Sequence, residues 1–111
     1  MSDAESQATN PLRPSPRKNR RSKEFRFHFD DLPADIQVLA KKVFQLFVAN
    51  PQHPALRLQR LKDNRKGQHR NSSWSVSVTM QYRAIYVEVG DTNVWYWIGT
   101  HAAYNHFTGK N

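Results

Sequence analysis

Six cations crowd the stretch between residues 57 and 70: Arg57, Arg60, Lys62, Arg65, Lys66 and Arg70, with His69 among them and Asp63 as the one acid. Side chains of this type and density suit phosphate, because each cation that neutralises a backbone charge also releases a condensed counter-ion. The same run suits a solvated loop, so both readings stay open. A second group is aromatic. Tyr86, Trp95 and Trp97 fall in neighbouring alternating segments, and flat rings beside basic loops stack nucleobases, fill a core beneath a helix, or line an apolar groove for a partner protein. The five histidines do not read as a metal site: His101 and His106 miss the i, i+4 spacing of a helical pair, and no Cys or paired carboxylate joins them. No cofactor and no metal is expected.

These residues need a scaffold, and the stretch from Trp74 to His101 supplies it. Trp74, Val76 and Val78 alternate with Ser75, Ser77 and Thr79, and Ile85, Val87 and Val89 alternate with Ala84, Tyr86 and Glu88, the two-residue period of half-buried strands. A tight turn at Met80-Gln81 and turn residues Gly90-Asp91-Thr92-Asn93 predict an antiparallel meander ending in Val94–Ile98. With Val89 opposite Val94 and Val76 opposite Ile85, one face collects Trp74, Val76, Val78, Ile85, Val87, Val89, Val94, Tyr96 and Ile98 as a core. The other collects Ser75, Ser77, Thr79, Ala84, Tyr86, Trp95, Trp97 and His101.

Upstream, Phe25, Phe27 and Phe29 alternate with Arg26 and His28 and predict a short first strand. Asp30-Asp31, Pro33 and the apolar spacing of Ile36, Leu39, Ala40, Val43, Leu46 and Phe47 predict a long helix, ended by Asn50-Pro51. Val38, Phe44 and Val48 widen its apolar sector, as if it were buried on more than one side. Leu56 to Leu61 fits a strand or a short helix, with strand favoured; Lys62 to Ser73 is a polar loop, and His101 to Phe107 at most two helical turns before Gly109.

The 111 residues suit one domain with a modest core. Met1 to Lys23 carries six Lys/Arg against Asp3 and Glu5 and almost no bulky apolar residue, which predicts a disordered basic tail before a domain over 24–111. The net charge of +8 favours nucleic acid, the ribosome or an acidic protein as partner. Without cysteine, a secretion signal or an apolar run of roughly 20 residues, the expectation is a soluble cytoplasmic protein with no membrane partner.

The order of strand, helix, Asn50-Pro51 break, Leu56-x-Leu58, Trp74-Ser75-Val76-Ser77-Val78, Tyr82-Arg83-Ala84-Ile85 and Trp97-Ile98-Gly99-Thr100-His101-x-x-Tyr104 resembles the RelE/ParE superfamily of toxins, its ParE-like and HigB-like members in particular. The resemblance covers Phe25 to Phe107. It implies an α+β fold with a mainly antiparallel four- to five-stranded sheet, one long helix on one face and a short C-terminal helical turn. It also implies a type II toxin-antitoxin system, with a cognate antitoxin as partner and either ribosome-dependent mRNA cleavage or inhibition of DNA gyrase as activity. A non-toxic nucleic-acid-binding module is the reading from charge alone.

Metal-free RNA cleavage needs an activated 2′-hydroxyl, a neutralised phosphorane and a protonated leaving oxygen. Three residues match positions of interest in the resemblance: Arg83 to bind the scissile phosphate, His101 as general acid or base, and Tyr104 to stack or donate a hydrogen bond. The expected register sets Arg83 and His101 on opposite faces, so Arg83 would have to reach round a strand end. Arg57, Arg60, Lys62, Arg65, Lys66 and Arg70 are the nucleic-acid-binding candidates, and Tyr86, Trp95 and Trp97 the antitoxin-binding ones.

Overall fold

The structure, a computed structural model, describes residues 16–63 and 66–110. In chain order the elements are strand β1 (Lys18–Arg21), helix α1 (Lys23–Asp30), helix α2 (Ala34–Ala49), a 3-10 turn (Pro54–Leu56), β2 (Gln59–Arg60), β3 (Ser73–Thr79), β4 (Tyr82–Val89), β5 (Thr92–Thr100) and helix α3 (His101–Phe107). They build an α+β fold around one five-stranded sheet of order β1-β5-β4-β3-β2. Only β1 runs parallel, against β5; the other pairings are antiparallel.

The first strand is not where the phenylalanines alternate. Phe25–Phe29 is helical, because Ser22 caps the segment by accepting the Phe25 amide hydrogen at 3.1 Å and Glu24 sits at the positive end. The i, i+4 pair Phe25 and Phe29 then stacks at 6.1 Å between centroids, while Phe27 is left 76% exposed. The strand is instead the polar Lys18–Arg21. Asn19 holds it to β5 by accepting from the Trp95 indole at 3.1 Å and from Asn93 Nδ2 at 3.2 Å, and Arg17 Nε donates to Asn93 Oδ1 at 2.7 Å. The basic tail expected to run to Lys23 therefore gives way to ordered sheet by Lys18; residues 1–15 lie outside the described residues. A charged sequence is at home there because edge strands carry charge without penalty.

Helix α2 forms as its periodicity predicts, with Pro33 before its first turn and Asn50 after its last. It buries Ala40 and Phe47 on the sheet, but Val38 and Val48 face outward, so it is covered on one side only. The Leu56–Leu61 segment divides into the 3-10 turn and the two-residue β2.

Two irregularities rearrange the faces of the meander. The β4–β5 turn is Gly90-Asp91 alone, with Gly90 at φ +58° and Val89 opposite Thr92, so Val87 rather than Val89 meets Val94. A bulge then makes Tyr86 oppose Trp95 while Ile85 opposes Trp97. The extra residue sets Trp97 on the same face as Tyr96 and opposite to Trp95. A second shift near Val78 puts Ala84, not Ile85, opposite Val76. One face consequently holds Val76, Val78, Ala84, Tyr86, Trp95 and Ile98 against Phe25, Ala40 and Phe47. The other holds Ile85, Val87, Val94, Tyr96 and Trp97 against Leu61, Tyr104 and Phe107.

Candidate active site

The bulge resolves the separation of Arg83 from His101. With Arg83 opposite Gly99, the β5-to-α3 corner folds over Arg83's own face of the sheet. Thr100 caps α3 by accepting the Ala103 amide hydrogen at 3.1 Å, and the His101 amide donates to the Gln81 carbonyl at 2.7 Å, tying the helix start to the β3–β4 turn. Trp97 fixes the far end by stacking on Phe107 at 5.2 Å and 18°. That stacking depends on Gly99, where a Cβ would sit 2.9 Å from the indole.

Arg83 lies at the centre and is 8% exposed. Its Nη2 donates to Ser75 Oγ at 2.7 Å and to the Arg57 carbonyl at 3.4 Å. Tyr104 donates its hydroxyl hydrogen to the same Ser75 oxygen at 3.0 Å, and its ring lies 4.9 Å from the guanidinium. No carboxylate pairs with Arg83 among the described residues, and its buried Nε has no hydrogen-bond partner. A guanidinium keeps its charge at any relevant pH. An unmet charged donor is costly in a low-dielectric interior, so the arrangement is one that an incoming anion would complete. Arg57 assists from its left-handed backbone, φ 46°, with its carbonyl aimed at Arg83.

His101 is exposed at the start of α3, its ring 5.9 Å from that of Tyr104. Arg83 and His101 thus flank one tyrosine, with the cation buried and the imidazole open to solvent. Tyr104 itself is 1% exposed and its hydroxyl is engaged, so it positions Arg83 rather than meeting a ligand. Ser75, whose oxygen joins Arg83 to Tyr104, is not among the sequence candidates, because simple alternation sets it on the mixed face with Trp95 and Trp97, opposite to Arg83. The signal lay in its place within an apolar strand that must be covered on both sides. Among the described residues no three His, Asp or Glu side chains gather as a metal site.

The basic residues divide. Arg60 pairs with Asp63 at 3.0 Å, and this guanidinium, with the Ser72 amide, holds the Asp63 carboxyl below its ordinary pKa. Arg70 lies over Tyr96 at 4.8 Å and pairs with Glu24 at 2.9 Å. Arg57, Lys62 and Lys66 are exposed, and Arg65 lies outside the described residues.

Tyr86, Trp95 and Trp97 do not form an accessible surface, being 4%, 3% and 6% exposed. Trp95 meets Phe44 and Phe47 edge-on at 5.8 and 5.1 Å and lies 4.7 Å from Tyr86, all beneath the helices. Trp97 is on the other side of the sheet. The bulge and the cover of α1 and α2 turn the expected antitoxin-binding face into core.

In its fold the chain is similar to YafQ from E. coli strain BL21(DE3), with a TM-score of 0.62 and 16% identity over 79% of this chain and 97% of that one. It is also similar to the toxin-antitoxin complex RelBE2 from Mycobacterium tuberculosis, with a TM-score of 0.59 and 17% identity over 78% and 99%. The YoeB/ParE toxin from Agrobacterium tumefaciens gives a TM-score of 0.57 and 13% identity over 76% and 98%. No curated protein matches the sequence. No described helix is long and apolar enough to cross a membrane. The pattern of the ParE-like toxin domain matches residues 34–106, well over half of the chain and all of the site from Ser75 to Tyr104. The chain belongs to the ParE-like toxin domain family.

Proposed function

We propose that this protein is the toxin of a type II toxin-antitoxin system and that it cleaves mRNA on the ribosome, restrained by a cognate antitoxin. The observation that carries the reading is Arg83, a buried guanidinium with no acidic partner among the described residues and an unmet Nε, next to the exposed His101. A surface that acts only by binding gyrase has no need of a buried uncompensated cation.

In the reaction the 2′-oxygen attacks the adjacent phosphorus and the bond to the 5′-oxygen breaks, leaving a cyclic phosphate and a 5′-hydroxyl. Arg83 neutralises the charge that builds on the phosphorane oxygens. His101 transfers one proton, from the 2′-hydroxyl or to the departing 5′-oxygen. Ser75 and Tyr104 hold the guanidinium in place. Among the described residues His101 is the proton carrier at this centre, so the other proton, taken from the 2′-hydroxyl or given to the 5′-oxygen, is exchanged with water or a ribosomal group, which fits a reaction completed on the ribosome.

The solved DinJ-YafQ and RelBE2 assemblies are toxin-antitoxin complexes, and the shared fold supports the same kind of pairing here. The basic balance of +8 favours an acidic partner segment. Induced expression tests the reading: growth should arrest, the neighbouring open reading frame should relieve it, and mRNA in a translation assay should be cut. Intact mRNA with inhibited DNA supercoiling would replace cleavage by gyrase inhibition. Normal growth at high soluble expression would leave a non-toxic nucleic-acid-binding module.

A further inference from the structure

A cleft of about 460 Å³ opens beside the site, between β2, the segment after residue 65 and the C-terminal end of α3. We propose that it is a second phosphate subsite, one that takes a backbone phosphate of the same single RNA strand whose scissile phosphate lies at Arg83; this rests on the mRNA-cleaving reading above. Its lining includes Arg60, Lys62, Lys66 and Lys110 beside the uncharged Gln59 and Thr108, with no carboxylate among the described residues. Arg60 is engaged by Asp63. That leaves Lys62, Lys66 and Lys110 as ammonium groups with no ion pair among the described residues.

The cleft is held in shape by a contact that two glycines make possible. Gly67 packs on the backbone of Thr108 so closely that a Cβ would sit 2.4 Å from the Thr108 carbonyl carbon, and Gly109, at φ +75°, faces back on the Gly67 nitrogen. The Gln68 amide donates to the Phe107 carbonyl at 2.6 Å across the same contact. The basic segment is thereby fastened to the helix that carries His101 and Tyr104. His69 braces the basic segment from within, its Nε2 donating to the Lys62 carbonyl at 2.6 Å.

Lys110 links the two subsites. Its Nζ lies 5.2 Å from the centroid of the Tyr104 ring, and the Arg83 guanidinium lies 4.9 Å from that centroid. The two cations are therefore no more than about 10 Å apart, a span short enough for nearby phosphates of one strand. The match to the ParE-like domain ends at residue 106, so Gly109 and Lys110 belong to the part of this chain beyond it.

The test uses the full chain and a fluorescent 2′-O-methyl RNA hexamer, which has no free 2′-hydroxyl and cannot be cleaved. Anisotropy titrations over a range of salt give the slope of log affinity against log salt. Losing one phosphate contact on a single strand lowers that slope by about 0.7. Lys62→Ala with Lys66→Ala should lower the slope by at least that amount and weaken binding several-fold, and Lys110→Ala should act in the same direction, with unchanged circular dichroism. The Gly67 and Gly109 amide resonances of the unaltered protein should move as the hexamer is added. A wild-type slope in both variants, or amide resonances that stay in place while the hexamer binds, overturns the subsite. Growth arrest and mRNA cleavage are scored separately: if they persist while the slope is unchanged, the subsite falls and the toxin reading stands. If the hexamer occupies the cleft and neither arrest nor cleavage occurs, the toxin reading falls and the cleft remains an RNA site.

Discussion

The two faces of the sheet use the same strands to opposite ends. Beneath α1 and α2, Trp95, Tyr86, Phe25, Phe44 and Phe47 meet edge to face, an arrangement that buries large apolar area and brings aromatic edges to aromatic faces. On the other face the cover is the seven-residue α3 and the segment before β3. There the side chains join by hydrogen bonds: Ser73 to the Tyr96 hydroxyl at 2.8 Å, and Ser75 to Arg83 and Tyr104. The first face stabilises the fold, and the second holds a charge that nothing in the described chain neutralises. The difference teaches that a thin, polar cover can hold a charged side chain in a fixed orientation without neutralising it, whereas a thick aromatic cover holds only apolar groups.

The largest effect should come from the helix-covered face. Trp95→Ala should cost about 3–5 kcal/mol, a large part of the roughly 5–15 kcal/mol that holds such a domain together, and urea denaturation would measure it. A stable variant that lost only antitoxin affinity would break the comparison, since Trp95 would then serve a partner.

Arg83→Gln should do the reverse. Cleavage should fall at least about 100-fold, equivalent to roughly 2.7 kcal/mol of transition-state stabilisation, while thermal stability holds or rises because an uncompensated buried charge has gone. A translation assay and a melting curve report the two quantities on one sample. Retained cleavage would remove Arg83 from the reaction.

Ser75→Ala sharpens the contrast. It leaves the Tyr104 hydroxyl and an Arg83 N–H without their acceptor, a cost of about 1–3 kcal/mol, and should lower cleavage less than Arg83→Gln does. Unchanged stability in urea would show that water or the Arg57 carbonyl replaces Ser75.

The smallest effect spans both faces. Burial pushes the Tyr86 hydroxyl well above its ordinary pKa, and burial also raises Tyr96, although Ser73 and Arg70 bond to its oxygen. The unfolded chain releases both protons near pH 10, whereas the folded chain keeps them. Their contribution is therefore present below pH 10 and lost as pH rises toward the folded values. Melting temperature followed from pH 8 to pH 11 should start to fall near pH 10, and Tyr96→Phe should flatten that fall. A flat profile in the unaltered protein would mean that neither hydroxyl is held apart from solvent.

Much of the scaffold was legible in the amino-acid order, because local physics decides it. Helix α2 follows from its 3.6-residue periodicity between Pro33 and Pro51, the meander from two-residue alternation and its turn residues, and the order of motifs pointed to the family. Arg83, His101 and Tyr104 were legible as types. Their meeting was not, since it depends on one bulged residue in β5 that carries Trp97 to Arg83's face, and alternation has no term for a bulge. The sequence also hid that Lys18–Arg21 is a strand and Phe25–Phe29 a helix: the first takes its backbone partners from β5, residues 92–95, more than seventy positions away, and the second is set by the Ser22 cap against a misleading alternation. Which of Trp95 and Trp97 lies under the helices, and which pins helix α3, is a matter of register, and register exists only once strands are paired.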